Sequence, residues 1–262
     1  MDARLIAAGL ALAAAPAFGF DHSHGSWDAL VKKHVVLLDG GRASRLDYAA
    51  MAKERKALKA YLADLSRVGE AEFKGWSRSE QMAFLTNAYN AFTVEKILTR
   101  YPDIRSIWDF GKIFGNPFKD EFFTLLGGRR SLDGIEHGLL RPVFREPRVH
   151  YAVNCASIGC PMLREEAYVP GRLNEQLEEQ ARRFLSDRSR NRYDAASGKL
   201  QVSRIFDWFA EDFEPRGRYF APYAELLADD AAGRDAVRAG RAGLAFLDYD
   251  WSLNDSPSSS RR

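Results

Sequence analysis

An α+β fold built as one domain is predicted by three observations. Segments with apolar residues three and four positions apart alternate with short runs bounded by glycine turns. No period of about 20 to 50 residues repeats. No stretch rich in proline, glycine or serine divides the 262-residue chain. The expected architecture is helices packed on short antiparallel hairpins and a central buried strand. A hydrophobic fraction of 46% with 28% charged residues supplies a core and excludes disordered or collagenous chains. Thirty-eight Lys and Arg against 36 Asp and Glu leave a net charge of +2, too balanced for a nucleic-acid footprint.

The first element is a targeting segment. Residues 5 to 15 form an apolar run after Arg4, followed by the small-residue sites Ala15-Pro16-Ala17 and Ala17-Phe18-Gly19. That layout predicts a secretory signal peptide over residues 1–19. The run falls short of the roughly 20 apolar residues that span a bilayer, so no transmembrane segment is expected. The protein is therefore read as periplasmic or secreted, with a domain over 20–253 and a polar tail over 254–262. Cleavage after Gly19 would expose Phe20-Asp21-His22, which can chelate Cu(II) or Ni(II); a frayed terminus with His22 and His24 solvated is the reading adopted.

Ser26 is expected to cap a helix carrying Trp27, Leu30, Val31, His34 and Val35 on one face, and Asp47 a second one through Met51, Leu58, Tyr61, Leu62 and Leu65. Ser77 to Glu80 is a capping box opening the longest helix, roughly 78–100, which stops at Tyr101-Pro102. Residues 122–126 and 129–132 read as a hairpin turning at Gly127-Gly128. Asp133 is expected to cap a short helix ending before Pro142. Val149 to Asn154 alternates like a strand, with His150, Ala152 and Asn154 on one face. An amphipathic helix over 171–187, a hairpin over 191–202, an aromatic helix over 205–213 capped by Ser203, and a strand over 244–249 complete the chain. Phe206, Trp208, Phe209 and Phe213 are read as core.

Candidate chemistry gathers in the central third. Asn87 and Asn90 lie three apart on one helix face, so both amides point inward and must be hydrogen-bonded. They either satisfy the backbone of an adjoining loop or serve a site by orienting an imidazole or binding an oxyanion. Glu136 and His137 are adjacent, so helical geometry turns them about 100 degrees apart; His137 is a candidate general base. Cys155 sits where the expected strand meets a loop containing Ser157, Gly159 and Cys160. Three readings compete. Cys155 is a nucleophile activated by His137 or His150, or Cys155 and Cys160 form a structural or redox-active disulfide, or the pair and a histidine bind a metal. The metal reading is the weakest, since no second cysteine pair accompanies this one. The glycine pairs lack phosphate-loop spacing, so no cofactor is implied.

The segments Ala83-Phe84-Leu85-Thr86-Asn87-Ala88-Tyr89-Asn90, Leu132-Asp133-Gly134-Ile135-Glu136-His137, Val149 through Pro161, Ser203 through Phe209 and Asp248-Tyr249-Asp250-Trp251-Ser252-Leu253 together resemble an exported bacterial member of the domain-of-unknown-function 547 family. The resemblance covers essentially the whole chain after residue 19. It implies motif residues at Asn87, Asn90, Glu136, His137 and Cys155, with His150, Asn154 and Cys160 as secondary candidates. Fusion of related domains to glutaredoxin-like modules adds thiol chemistry to what it implies. The reading adopted is a cysteine-dependent hydrolase or acyl transferase acting on a small molecule or peptide, with Cys155 attacking, His137 as base and Asn87 or Asn90 in support. A periplasmic thiol-disulfide protein and a non-enzymatic binding or scaffold domain are the alternatives.

Overall fold

A computed structural model describes residues 19–111 and 115–256. The expected export segment, apart from Gly19, and the end of the tail lie outside the described residues. Helical periodicity in the N-terminal third builds α1 (Gly25–His34), followed by the antiparallel pair β1 (Val35–Leu38) and β2 (Ala43–Leu46). Then come α2 (Tyr48–Lys53), α3 (Arg55–Arg67), α4 (Glu70–Lys74) and α5 (Arg78–Leu98). Asp47 does cap α2, accepting the Ala50 N–H at 2.8 Å. The single helix expected from there is divided at Glu54, whose φ of −105° and ψ of 14° leave the helical region. Ser77 and Glu80 form the expected capping box. From Met82 to Leu98 all but one residue of α5 are buried, so this helix is the axis of the first core and not an amphipathic surface element.

The N-terminal segment is not frayed as expected. Phe20 packs on Trp76 and Phe84, and His24 is buried with its Nδ1 2.7 Å from the Tyr61 hydroxyl. Packing of Phe20 on Trp76 and Phe84 and the His24–Tyr61 bond outweigh the conformational freedom of this segment.

β3 (Phe123–Leu125) and β4 (Gly128–Arg130) form the next hairpin. Its turn lies one residue earlier than expected, at Leu126 and Gly127, both at positive φ. α6 (Leu132–Ile135) is capped by Ser131, which accepts the Gly134 N–H, and not by Asp133. The chain continues through a wide turn, Glu136–Leu140, into α7 (Arg141–Phe144) without stopping before Pro142. Arg141 donates its N–H five residues back, to Glu136, and this shift of register accommodates a proline that has no N–H to donate.

The central strand predicted over Val149–Asn154 is instead a helical turn, α8 (Val149–Ala152). A helical turn points side chains in more than two directions, and the structure uses that. Val149 and Ala152 enter the first core, Tyr151 enters the second, and His150 faces the cleft. Short apolar runs carry no reliable period, and Pro147, whose carbonyl accepts the His150 N–H, starts the turn.

α9 (Leu173–Leu185) spans both cores, Leu173 and Leu177 entering the first and Ala181, Phe184 and Leu185 the second. β5 (Arg192–Asp194) and β6 (Lys199–Val202) are the expected second hairpin. The aromatic helix is shorter than expected, α10 (Ile205–Trp208) followed by a tight turn over Ala210–Phe213. After α11 (Arg216–Tyr219), α12 (Ala224–Leu227) and α13 (Ala231–Arg238), β7 (Gly243–Phe246) pairs in parallel with β6 and completes a three-stranded sheet. The α+β class is therefore as predicted, with one parallel pairing among antiparallel hairpins.

The last described residues cross back over the centre. Ile158 and Gly159 donate their N–H groups to the Ser252 and Asp250 carbonyls at 2.9 and 2.8 Å, and Asn254 donates to Ala156 at 3.1 Å. This C-terminal strap closes over the cysteine loop. Among the described residues no helix is long and apolar enough to cross a membrane.

Candidate active-site cleft

Three buried amides hold the cysteine loop in place. Asn90 on α5 donates to the Ala152 carbonyl at 2.9 Å and accepts the Asn154 N–H at 2.8 Å. Asn154 in turn accepts the Ala156 N–H at 3.0 Å and donates to the Pro161 carbonyl at 2.8 Å, bridging the two ends of the loop. Asn254 of the strap donates to Asn154 at 3.2 Å and accepts from the Tyr48 hydroxyl at 2.9 Å. Asn87 does similar work elsewhere, pairing with both the N–H and the carbonyl of Tyr168. Both helix asparagines therefore act on backbone, and neither touches an imidazole. Ala156, at a φ of 63°, turns the chain sharply just after Cys155.

That turn delivers Cys155 and Cys160 to a cleft of about 490 Å³. The two are joined in a disulfide with Cα atoms 6.2 Å apart. Cys155 is partly exposed while Cys160 is buried at 5% exposure, so the two sulfurs differ in access. Their polar contacts are hydroxyls and one amide. The Cys155 N–H donates to Cys160 Sγ at 2.9 Å. The Tyr249 hydroxyl donates to Cys160 Sγ at 3.2 Å and lies 3.2 Å from Cys155 Sγ. The Ser157 hydroxyl is 3.1 Å from Cys155 Sγ.

The imidazoles engage other partners. His137 is exposed, with Nδ1 2.7 Å from Arg141 and Nε2 3.6 Å from Asp133. His150 is buried, bonded through Nε2 to Asp212 at 2.7 Å, with Nδ1 3.6 Å from Glu136 and its ring stacked on Phe209 at 4.2 Å. Burial opposes protonation of His150, but the bond to Asp212 and the nearby Glu136 outweigh it and raise its pKa. The His150 bond, reinforced by Arg141, holds the Asp212 carboxyl down to about 2. Burial raises Glu136, yet His150 and the neighbouring His137 and Arg141 more than offset this and its pKa is lowered. All three groups are thus shifted toward their charged forms, the imidazole cationic and the carboxyls anionic.

Glu136, His137, His150, Cys155 and Cys160 all line the cleft, although Glu136 and His137 are adjacent in sequence. Asn90 and Asn154 do not line it but hold the cysteine loop in place, while Asn87 is bonded to the backbone of Tyr168. Much of the rest of the lining is aromatic, Tyr89, Trp108, Phe118, Trp208, Phe209, Tyr249 and Trp251, which was not expected from the sequence. Trp251 is its hub, with ring centroids 4.6 Å from Tyr249, 5.3 Å from Trp108 and 5.6 Å from Trp208. Trp108 and Trp208 are 40% and 46% exposed, so the core assignment holds for Phe206 and Phe213 but not for Trp208 or Phe209, which line the cleft. Asp212, Arg141 and Tyr249 also went unassigned. Tyr249 and Trp251 stand within a recognisable motif, but no local spacing ties them to a cysteine about 90 residues earlier. Among the described residues, no group of three or more His, Cys, Asp or Glu side chains is arranged to hold a metal ion.

No curated protein and no solved structure matches the chain. A family model does match, and its span contains the helix asparagines, the Glu136-His137 pair and both cysteines. Residues 73–185 match the family described as "Protein of unknown function, DUF547".

Proposed function

We propose that this protein exchanges thiols and disulfides through the Cys155–Cys160 pair, in an oxidising compartment outside the cytoplasm. The observation that carries the reading is the asymmetry of the bridge. It lines a cleft, with Cys155 open to it and Cys160 buried. A purely structural bridge has no need of such access. In the forward step a thiolate of a substrate dithiol attacks Cys155 Sγ. The Cys155–Cys160 bond breaks, Cys160 leaves as the thiolate and takes up a proton. The second substrate thiolate then attacks its own partner's sulfur in the mixed disulfide and releases the Cys155 thiolate. The substrate is oxidised to a disulfide as the protein is reduced to a dithiol. Bridges of this kind persist in oxidising compartments, which favours the exported reading of the N-terminal segment.

Mixing the oxidised protein with a reduced dithiol peptide and quenching with an alkylating agent tests this directly. Reduction of the native protein is expected, and Cys160→Ser preloaded as a mixed disulfide should carry the peptide on Cys155. A bridge that stays intact until the protein unfolds would overturn the reading.

A second reading is favoured by a separate observation, the His150 and Glu136 side chains lining the same cleft with Asp212 bonded to His150, which exchange alone does not require. Once reduced, Cys155 could attack an acyl carbonyl as a thiolate, with the cleft's acid–base groups protonating the leaving group. Acyl-ester hydrolysis that appears only with reductant and vanishes in Cys155→Ala would support that reading.

A further inference from the structure

The strap that closes over the cysteine loop brings a residue to the sulfurs that nothing in the central third supplies. We propose that Tyr249 is a catalytic residue of the exchange site, its hydroxyl donating a hydrogen bond to whichever sulfur becomes the thiolate. This rests on the exchange reading of the Cys155–Cys160 pair and names the group that makes the bond easy to break.

The geometry is specific. The Tyr249 oxygen is 3.2 Å from each sulfur, equidistant from the sulfur that is attacked and the sulfur that leaves. Cys160 already receives the Cys155 N–H at 2.9 Å, so a departing Cys160 thiolate would have two donors. Ser157 completes the arrangement from the Cys155 side, its hydroxyl 3.1 Å from that sulfur and donating to Tyr249 at 3.3 Å. A hydroxyl that receives one hydrogen bond while giving another is polarised toward the sulfur. Burial pushes the Tyr249 phenol above its ordinary range, so it stays protonated and remains a donor.

The position is built. A Cβ added at Gly159 would lie 2.9 Å from the Tyr249 ring and 3.0 Å from the Asp250 nitrogen, so only glycine lets the ring lie against the loop. Asp250 accepts the Gly159 N–H, fixing the residue next to Tyr249. Arg190 supports the loop from beneath by donating to the Cys160 carbonyl and pairs with Asp187 at 2.6 Å. The other ionisable groups lining this cleft are Tyr89, Asp133, Glu136, His137 and His150. None of these five hydrogen-bonds a sulfur, whereas Tyr249 does.

The deciding experiment is the pH profile of iodoacetamide alkylation of the protein reduced with excess dithiothreitol, with the modified cysteine located by peptide mass mapping. Wild type and Tyr249→Phe are compared, after melting curves establish that the variant is folded. Loss of a hydrogen bond to a charged sulfur should raise the alkylation midpoint by about one pH unit and slow exchange with a dithiol peptide roughly tenfold at pH 7. Ser157→Ala should move the midpoint in the same direction and by less. A midpoint that Tyr249→Phe leaves in place would overturn the role of Tyr249 while exchange itself stands. A native bridge that dithiothreitol cannot reduce would overturn both.

Discussion

His150 is held between Asp212 and Glu136, and that placement dictates how stability responds to pH. Its folded pKa is raised above the ordinary histidine value, so its contribution is complete below about pH 6.5 and is lost as pH rises through the folded value. Asp212 acts in the opposite sense. Its folded pKa near 2 means its contribution is present above roughly pH 4 and is lost as pH falls toward 2. The pair therefore stabilises most between about pH 4 and 6.5. Urea unfolding of wild type and His150→Gln across pH 3 to 9 should show the largest difference in that window, shrinking on both sides. The asparagines are a second lesson at this scale. Three-residue spacing predicted inward amides, and Asn87 and Asn90 are indeed buried at 0% and 2% exposure. What they bind was not readable, because their partners lie 62 to 81 residues away.

Among elements, the strap and the hairpins differ in how far local chemistry decides them. The capping boxes and glycine turns that start α5 and bend the hairpins are properties of four or five adjacent residues, and they were legible. The strap forms no named strand or helix of its own and is held by backbone bonds to Ala156, Ile158 and Gly159 and to Leu46 and Arg105. Gly159→Ala should force it outward, since the new Cβ meets backbone at Asp250 as well as the Tyr249 ring. A loss of about 1 to 3 kcal/mol in unfolding free energy is expected, with faster amide hydrogen exchange at Ile158 and Asn254. Unchanged exchange at those amides would mean that the strap is not held through Gly159. α8 marks the limit of local reading. Six alternating residues satisfied a strand pattern, yet the chain needed three directions at once, and only a helical turn provides them.

For the whole molecule, the question is whether reduction leaves a folded protein. The bridge joins residues only five apart in sequence. Chain-entropy reasoning gives so short a loop about 2 kcal/mol of stabilisation, small beside the roughly 5 to 15 kcal/mol typical of a domain. Neither of the two apolar cores contains Cys155 or Cys160. Urea unfolding with and without dithiothreitol should thus give a midpoint shift worth about 2 kcal/mol with the fold retained in both, which is the property an exchanging pair requires. Collapse on reduction would mark the bridge as structural.

The sequence by itself determined the α+β class, the starts of α2, α5 and α10 and the inward amides, because each follows from spacing within a few residues. Only the tertiary structure decided the parallel pairing of β7 with β6, the helical form of α8, the aromatic lining around Trp251, and the seating of Tyr249 against both sulfurs. The pairings among them join residues about 40 to 140 positions apart. Their energy comes from burial and hydrogen bonds that do not exist until the chain has closed on itself.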